Sequence, residues 1–308
     1  MGTISSLVEE ASEITPRLFR QTVNQTERVL SAEKDGFRKL QVVGRLVRMP
    51  PSGEATVIGD IHGDIDSLKQ ILTEAEFVEK TSSGKEVYLI FLGDYGDRGS
   101  YSPEVYYVVL SLKNMFPDKV VLLQGNHEGP EDLMASPHDL PYYLKQKFGT
   151  EGHAIYKQLS GLFRHFYTAV LENERCIMLH GGVPSGAKSL DDIAYAFERH
   201  PAERQLEEIL WSDPVEGITG IQPSPRGAGN LFGEDVTKAF LKMLNVHFVI
   251  RGHEPVNGGY KINHEGKVLT LFSRKGTPYF NRFGSYLTID LSRAYDSAWH
   301  LEPFIHRF

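Results

Sequence analysis

A single cysteine, Cys176, stands in a chain of 308 residues. No disulfide can close within it, and metal sites built on C-x-x-C pairs are excluded. Cys176 lies in the apolar run RCIMLH and reads as a small core residue rather than a nucleophile. Basic charge is also scarce, with 33 Lys and Arg against 40 Asp and Glu and a net charge of −7. Nucleic-acid binding normally needs a basic footprint, so no nucleic-acid partner is expected. No stretch approaches the roughly 20 apolar residues of a membrane span. The acidic start MGTISSLVEEASEITPRL lacks the basic and then apolar order of a signal peptide. MGTISS fits the loose myristoylation pattern, which is short enough to arise by chance. A cytoplasmic setting without membrane attachment is expected. The esterase elbow G-x-S-x-G, H-E-x-x-H, the nucleotide loop G-x-x-x-x-G-K-[ST] and a G-x-G-x-x-G after a strand are all missing.

What is present is an alternation. Residues 1–42 have helical spacing, with Ser6 and Glu9 as a capping box and Thr15–Pro16 as a second helix start. After the break MPPSGE come strand, helix, strand, helix and strand: ATVIGD, IDSLKQILTEAEF, EVYLIFLGD, SPEVYYVVLSLKNMF and DKVVLLQG. Helical patterns follow over about 139–148 and 152–171, then the strand RCIMLH and two more helical patterns, SLDDIAYAF and PAERQLEEIL. Residues 212–233, rich in Gly and Pro, read as one long loop, and loops of that length are usually functional or mobile. EDVTKAFLKML is helical, VHFVIRG is a strand, GGYKINHEGKVLTLFS a hairpin and GSYLTIDLS a strand. This order predicts an α/β fold with a buried sheet, and the late hairpins predict a second sheet packed against the first.

One grammar recurs five times: TVIGDIHGD, IFLGDYGDRG, LLQGNHE, IMLHGG and FVIRGHE. Each is an apolar strand leaving into glycine beside His, Asp or Asn. Ligand sites in open α/β sheets lie outside the carboxyl ends of strands. If the five strands lie side by side and point one way, Asp60, His62, Asp64, Asp94, Asp97, Arg98, Asn126, His127, His180 and His253 converge. A lone Asp-Gly or strand-end His is usually a turn or a surface group; five together are not five independent accidents. Carboxylate, imidazole and amide oxygen suit Mn²⁺, Fe²⁺, Zn²⁺ or Co²⁺. The donors outnumber one ion, and two ions roughly 3.5–4 Å apart would use them. Asp60 and His62 could hold the first, Asp94 could bridge, and Asn126, His180 and His253 could complete the second.

GDIHGD, GDYGDRG, LLQGNHE, HGG and RGHE together resemble the phosphoprotein phosphatase family within the calcineurin-like metallophosphoesterases, as do WSDP at 211–214 and TLFS at 270–273. The likeness runs from about 55 to 292. It implies a two-sheet β-sandwich flanked by helices, with an N-terminal helical segment (1–50) and one catalytic domain (51–308). By position, Asp60, His62 and Asp94 become ligands of one metal, and Asp94, Asn126, His180 and His253 of the other. His127 matches the proton donor, Asp97 its orienting carboxylate, and Arg98 and Arg226 the phosphate clamp, with Asn126 beside them. The implied reaction is metal-dependent hydrolysis of phosphoserine and phosphothreonine in proteins, by in-line attack of a hydroxide bridging two divalent ions. Manganese is the cofactor expected in vitro, with iron or zinc as alternatives. The sequence departs from the family at Gly96 (usually Val), at Gln124 (usually Arg) and in SRKGTPYFNR, which replaces the SAPNYC loop. Tyr279 is the candidate to stand in for that loop's tyrosine. Asp64 reads equally as a loop cap or as support for a ligand histidine, and Asp213 as a further support. A dinucleoside polyphosphate hydrolase, a broad-specificity phosphomonoesterase and an inactive phosphoprotein-binding module remain as rival readings.

Overall fold

The computed structural model describes residues 3–34, 40–172 and 175–308. Met1 and Gly2 of the MGTISS pattern, and residues 35–39 of the expected N-terminal helical stretch, lie outside them. In chain order the first elements are α1 (Ile4–Ser12), α2 (Pro16–Lys34), β1 (Gln41–Val43), β2 (Leu46–Met49), β3 (Glu54–Ile58), α3 (Ile65–Glu74), α4 (Phe77–Ser82), β4 (Val87–Phe91), α5 (Ser102–Met115) and β5 (Val120–Leu122). Then come α6 (Leu140–Phe148), α7 (Gly152–Phe163), β6 (Ala169–Glu172), β7 (Cys176–Met178), α8 (Asp191–Ala194), α9 (Ala196–Arg199) and α10 (Gln205–Trp211). The last are β8 (Asp213–Pro214), β9 (Ile221–Pro223), β10 (Asn230–Phe232), α11 (Glu234–Leu244), β11 (Phe248–Arg251), β12 (Tyr260–Asn263), β13 (Val268–Leu271), β14 (Ser285–Asp290) and β15 (Ile305–Arg307).

Two large sheets form a sandwich, with strand orders β15-β14-β3-β4-β5 and β1-β2-β6-β7-β11-β13-β12. Alternation within strands assigns the layers, because successive side chains point to opposite faces. In β11, Phe248 and Ile250 join the large core shared with the other sheet and α1–α7, whereas Val249 joins a second core beneath α8–α11. The layers therefore run helix, sheet, sheet, helix, as expected.

The five motif strands do not lie in one sheet. β3, β4 and β5 are parallel neighbours in the first sheet, and β7 and β11 are parallel neighbours in the second. The loops still meet, because the sheets are stitched at that edge by the parallel bridges Asp60–Phe272 and Leu123–Tyr167.

The structure departs from the local sequence pattern in four places. Thr3, not Ser6, caps α1, its hydroxyl accepting the Ser6 N–H at 3.2 Å. The helical pattern to residue 42 stops short of β1, which pairs with β2 as a hairpin on the edge of the second sheet. The helix expected over 152–171 ends at Phe163, and Ala169–Glu172 is β6, paired in parallel with β2. Its apolar run fits either period, and its two partner strands, β2 more than a hundred residues earlier and β7 just after it, decide between them. Within 212–233, β8, β9 and β10 form a small sheet. Strands of two or three residues are too short to carry a period.

Candidate metal centre and cleft

The motif loops are strained where chemistry is concentrated. His62, Asp94, Asp97, Arg98 and His253 all have positive φ, between 45° and 72°, which non-glycine residues adopt at a cost of about 1–3 kcal/mol each. Glycines leave room for the acidic groups. A Cβ at Gly125 would stand 2.1 Å from Asp94 Oδ1, and one at Gly252 would stand 2.4 Å from Asp60 Oδ1.

The structure brings Asp60, His62, Asp94, Asn126, His180 and His253 together at the carboxyl ends of the five strands, all of them buried. Hydrogen bonds on the far side of each group set which atom points inward. His62 Nδ1 donates to the Gly96 carbonyl and His180 Nδ1 to the Leu92 carbonyl, both at 2.9 Å, so each Nε2 presents a lone pair. His62 Nε2 lies 3.4 Å from Asp94 Oδ2 and 3.7 Å from Asp60 Oδ2; His180 Nε2 lies 3.5 Å from Asp94 Oδ1. Asp60 Oδ1 accepts the His253 N–H at 2.8 Å, while its Oδ2 and His253 Nε2 have no hydrogen-bond partner. The oxygen of Asn126 faces His180 Nε2 at 3.1 Å, His253 Nδ1 at 3.3 Å and both Asp94 oxygens at 3.0 and 3.2 Å. Turning the amide would let its nitrogen donate to these acceptors. The same convergence of bare acceptors also suits a cation, and the donor set of carboxylate, imidazole and amide oxygen fits a divalent one. Ligand atoms of Asp94, His180 and His253 all lie within 4.8 Å of one another, as do those of His62, Asp94 and His127.

Burial drives these groups toward neutrality. It pushes the Asp60 carboxyl up to about 7 and lifts Asp94 well above the ordinary range, Asp60 and Glu128 adding to the effect on Asp94. It also pushes His62, His180 and His253 well below the usual imidazole value, which leaves their lone pairs free.

Above this floor opens a cleft of about 490 Å³, reached by His127, Arg98, Arg226 and Tyr279. His127 Nδ1 lies 2.5 Å from Asp97 Oδ2. Arg98 donates to the carbonyls of Pro137 at 2.9 Å and Ser136 at 3.4 Å. Arg226 sits in the turn between β9 and β10, where its Nε donates to Asp213 Oδ2 at 2.8 Å. Asp213 also takes 2.9 Å bonding from the fully buried Arg251, so it anchors two arginines. Tyr279 packs against His62, ring centroids 5.5 Å apart. Asp64 is a cap: its carboxylate accepts the Ser67 N–H at 3.0 Å and the Ser67 hydroxyl at 2.6 Å at the start of α3.

The calcineurin-like phosphoesterase family model matches residues 55–257. This chain belongs to the calcineurin-like phosphoesterases. A probable serine/threonine-protein phosphatase of Encephalitozoon cuniculi (strain GB-M1) is 34% identical over 251 residues, covering 80% of this chain and 52% of that protein. The chain thus spans about half the length of that relative. Among solved structures, a Saccharomyces cerevisiae protein serine/threonine phosphatase with similarity to human phosphatase PP5 superposes with a TM-score of 0.72 at 24% identity, covering 96% of this chain and 89% of that one. A cold-active protein-tyrosine phosphatase from a psychrophilic Shewanella superposes with a TM-score of 0.56 at 18% identity, covering 82% and 79%. At these identities the two structures share the fold with this calcineurin-like chain.

Three residues that brace the cleft carry little signal in the sequence. Glu128 is fully buried and its carboxylate accepts from the N–H groups of Asp94, Tyr95 and Gly125 and from the Tyr106 hydroxyl, bracing two motif loops. Its signal was its place beside His127 in GNHE. Arg274, in the divergent loop, donates to the carbonyl of the strained His62 at 2.8 Å. His138 bonds Asp97 from a segment without any motif.

Proposed function

We propose that this chain is a metal-dependent phosphomonoesterase acting on phosphoserine and phosphothreonine in proteins. The observation that carries the reading is the crowd of acceptor atoms around Asn126 and Asp94, beside a paired imidazole and carboxylate and beneath two arginines. Asp60, His62 and Asp94 would hold one divalent cation, and Asp94, Asn126, His180 and His253 the other, with manganese the ion to use in vitro. Bound cations supply Lewis acidity and lower the pKa of water toward neutrality.

The rest falls to the chain's own side chains. Arg226 offers a fork to phosphate oxygens, keeping both terminal nitrogens available because Asp213 holds it through Nε; Arg98, whose terminal nitrogens each donate to a carbonyl of residues 136–137, would add its charge and its remaining N–H groups. Serine and threonine alkoxides leave poorly and need a proton. His127 would supply it from Nε2, its Nδ1–H being tied to Asp97. Tyr279 closes one side of the cleft and keeps His62 in place by packing. The Encephalitozoon relative, named as a probable serine/threonine-protein phosphatase, supports this substrate class.

The deciding assay uses metal-stripped protein, Mn²⁺ added back and a phosphoserine peptide. Hydrolysis is expected only with the ion. Asp94→Asn should lose both turnover and Mn²⁺ binding. His127→Asn should lose about 10²–10⁴-fold in turnover while still binding Mn²⁺. Robust turnover by the chelated protein refutes the reading.

A further inference from the structure

Asp97 is gripped by two imidazoles, and only one belongs to the cleft. Its Oδ2 accepts from His127 Nδ1 at 2.5 Å and from His138 Nδ1 at 2.7 Å, while its Oδ1 accepts the Leu140 N–H at 2.5 Å. A carboxylate can only accept, so both Nδ1 atoms carry hydrogen. The far nitrogen of His138 lies 2.9 Å from the Tyr156 hydroxyl, which donates to it when the ring is neutral. Tyr156, His138, Asp97 and His127 thus form one hydrogen-bonded chain ending in the cleft. Tyr156 itself lines a separate cavity of about 610 Å³.

The segment that carries His138 also holds Arg98, through the carbonyls of Ser136 and Pro137. Asp97 and Arg98 are adjacent residues at φ 62° and 64°. A strained pair persists only where its surroundings over-determine it, and residues 136–140 meet that need from outside the motif. Burial alone would raise the proton affinity of Asp97, but the bonds from His127 and His138 outweigh it and hold the carboxyl well below its usual range.

We propose that His138 is a positioning residue for His127: by taking the second lone pair of Asp97 Oδ2 it fixes the carboxylate's rotation, and so the direction of the His127 ring. The inference rests on the phosphomonoesterase reading in one respect, that His127 gives its proton to the leaving oxygen. Without His138 the carboxylate keeps only His127 on Oδ2 and the Leu140 N–H on Oδ1, so Oδ2 can swing about the Oδ1 anchor and the His127 ring follows it. Substrates with poor leaving groups then suffer more than those whose leaving group departs without a proton.

The test compares a phosphoserine peptide with p-nitrophenyl phosphate in Mn²⁺-loaded wild type, His138→Leu, His138→Asn and Tyr156→Phe. In parallel, the low-field His127 Nδ1–H resonance is followed by NMR in metal-free protein. In His138→Leu, kcat on the peptide should fall about thirtyfold and on the aryl ester about threefold, as misplacement of a general acid predicts. The His127 resonance should shift or broaden. His138→Asn places an amide N–H near the position of Nδ1 and should recover peptide kcat to within about threefold of wild type; Tyr156→Phe should fall between. Equal losses on the two substrates, or an unchanged His127 resonance in His138→Leu, overturn the proposal. If wild type with Mn²⁺ hydrolyses neither substrate, the phosphomonoesterase reading fails instead, and the resonance still decides whether His138 orients His127.

Discussion

Asp60 divides its two oxygens between scaffold and floor: one accepts the His253 N–H, and the other has no partner. Burial pushes its carboxyl up to about 7. Below that pH a cation must displace a proton from Asp60 to bind, as it must from Asp94, whose carboxyl burial also raises, whereas His62, His180 and His253, already neutral, have none to release. Mn²⁺ affinity should therefore fall as the medium is acidified through pH 7, with protons released on binding. Calorimetry at pH 6 in two buffers of different ionisation enthalpy measures that release, and buffer-independent heats would contradict it. On the rim, Arg226 shows how one residue's role depends on its support. Removing a hydrogen-bonded charge typically costs about 1.5–3 kcal/mol. Arg226→Ala should lower kcat/KM for a phosphopeptide by about one to two orders of magnitude while leaving Mn²⁺ affinity intact. Asp60, His62, Asp94, Asn126, His127, His180 and His253 were legible because each sits at a strand end, beside glycine or, for His127, one residue beyond it. Arg274 and His138 were not, since nothing in their surroundings repeats that pattern.

The elements that position the cleft depend on a buried ion pair far from it. Lys113 on α5 lies 2.5 Å from Glu33 on α2, both fully buried, and the Tyr167 hydroxyl donates to the same carboxylate at 2.6 Å. Breaking one side of such a pair strands a charge and costs about 3–5 kcal/mol. Lys113→Met should lower stability to urea by that amount. Adding Glu33→Gln should recover much of it, and a double mutant no more stable than the single would contradict the account. The small sheet of β8, β9 and β10 is the other element that matters, because its turn carries Arg226 to the cleft. Its sequence, rich in Gly and Pro, gave no periodicity and read as loop.

Across the whole molecule the two sheets contribute unequally. The first supplies Asp60, His62, Asp94 and Asn126 from loops after β3, β4 and β5, and the second supplies His180 and His253 from loops after β7 and β11. A cation gripped by both would fasten the sandwich at its stitched edge. Ligands that bind only the folded state stabilise it by mass action, about 3 kcal/mol when free ion exceeds its dissociation constant a hundredfold. Thermal melts with Mn²⁺ and with chelator should differ accordingly, and Asp94→Asn should abolish the difference. Coincident melts for the wild type would count against a site shared between sheets. Among the described residues no helix is long and apolar enough to cross a membrane.

The sequence alone settled what had to be local. Apolar runs ending in glycine and a polar ligand-type residue mark strand ends wherever the strand later pairs, and their side chains define the chemistry without coordinates. The alternation of strands and helices likewise settled the layers. Pairing was beyond its reach, because a strand buried on both faces carries no label for its neighbour. Tertiary structure alone placed the five motif strands in two sheets, made β6 from a stretch with helical spacing, and set His138 behind Asp97. The two-sheet placement and His138 depend on contacts between segments far apart in the chain, where local pattern carries no information, and β6 is fixed between the distant β2 and the adjacent β7.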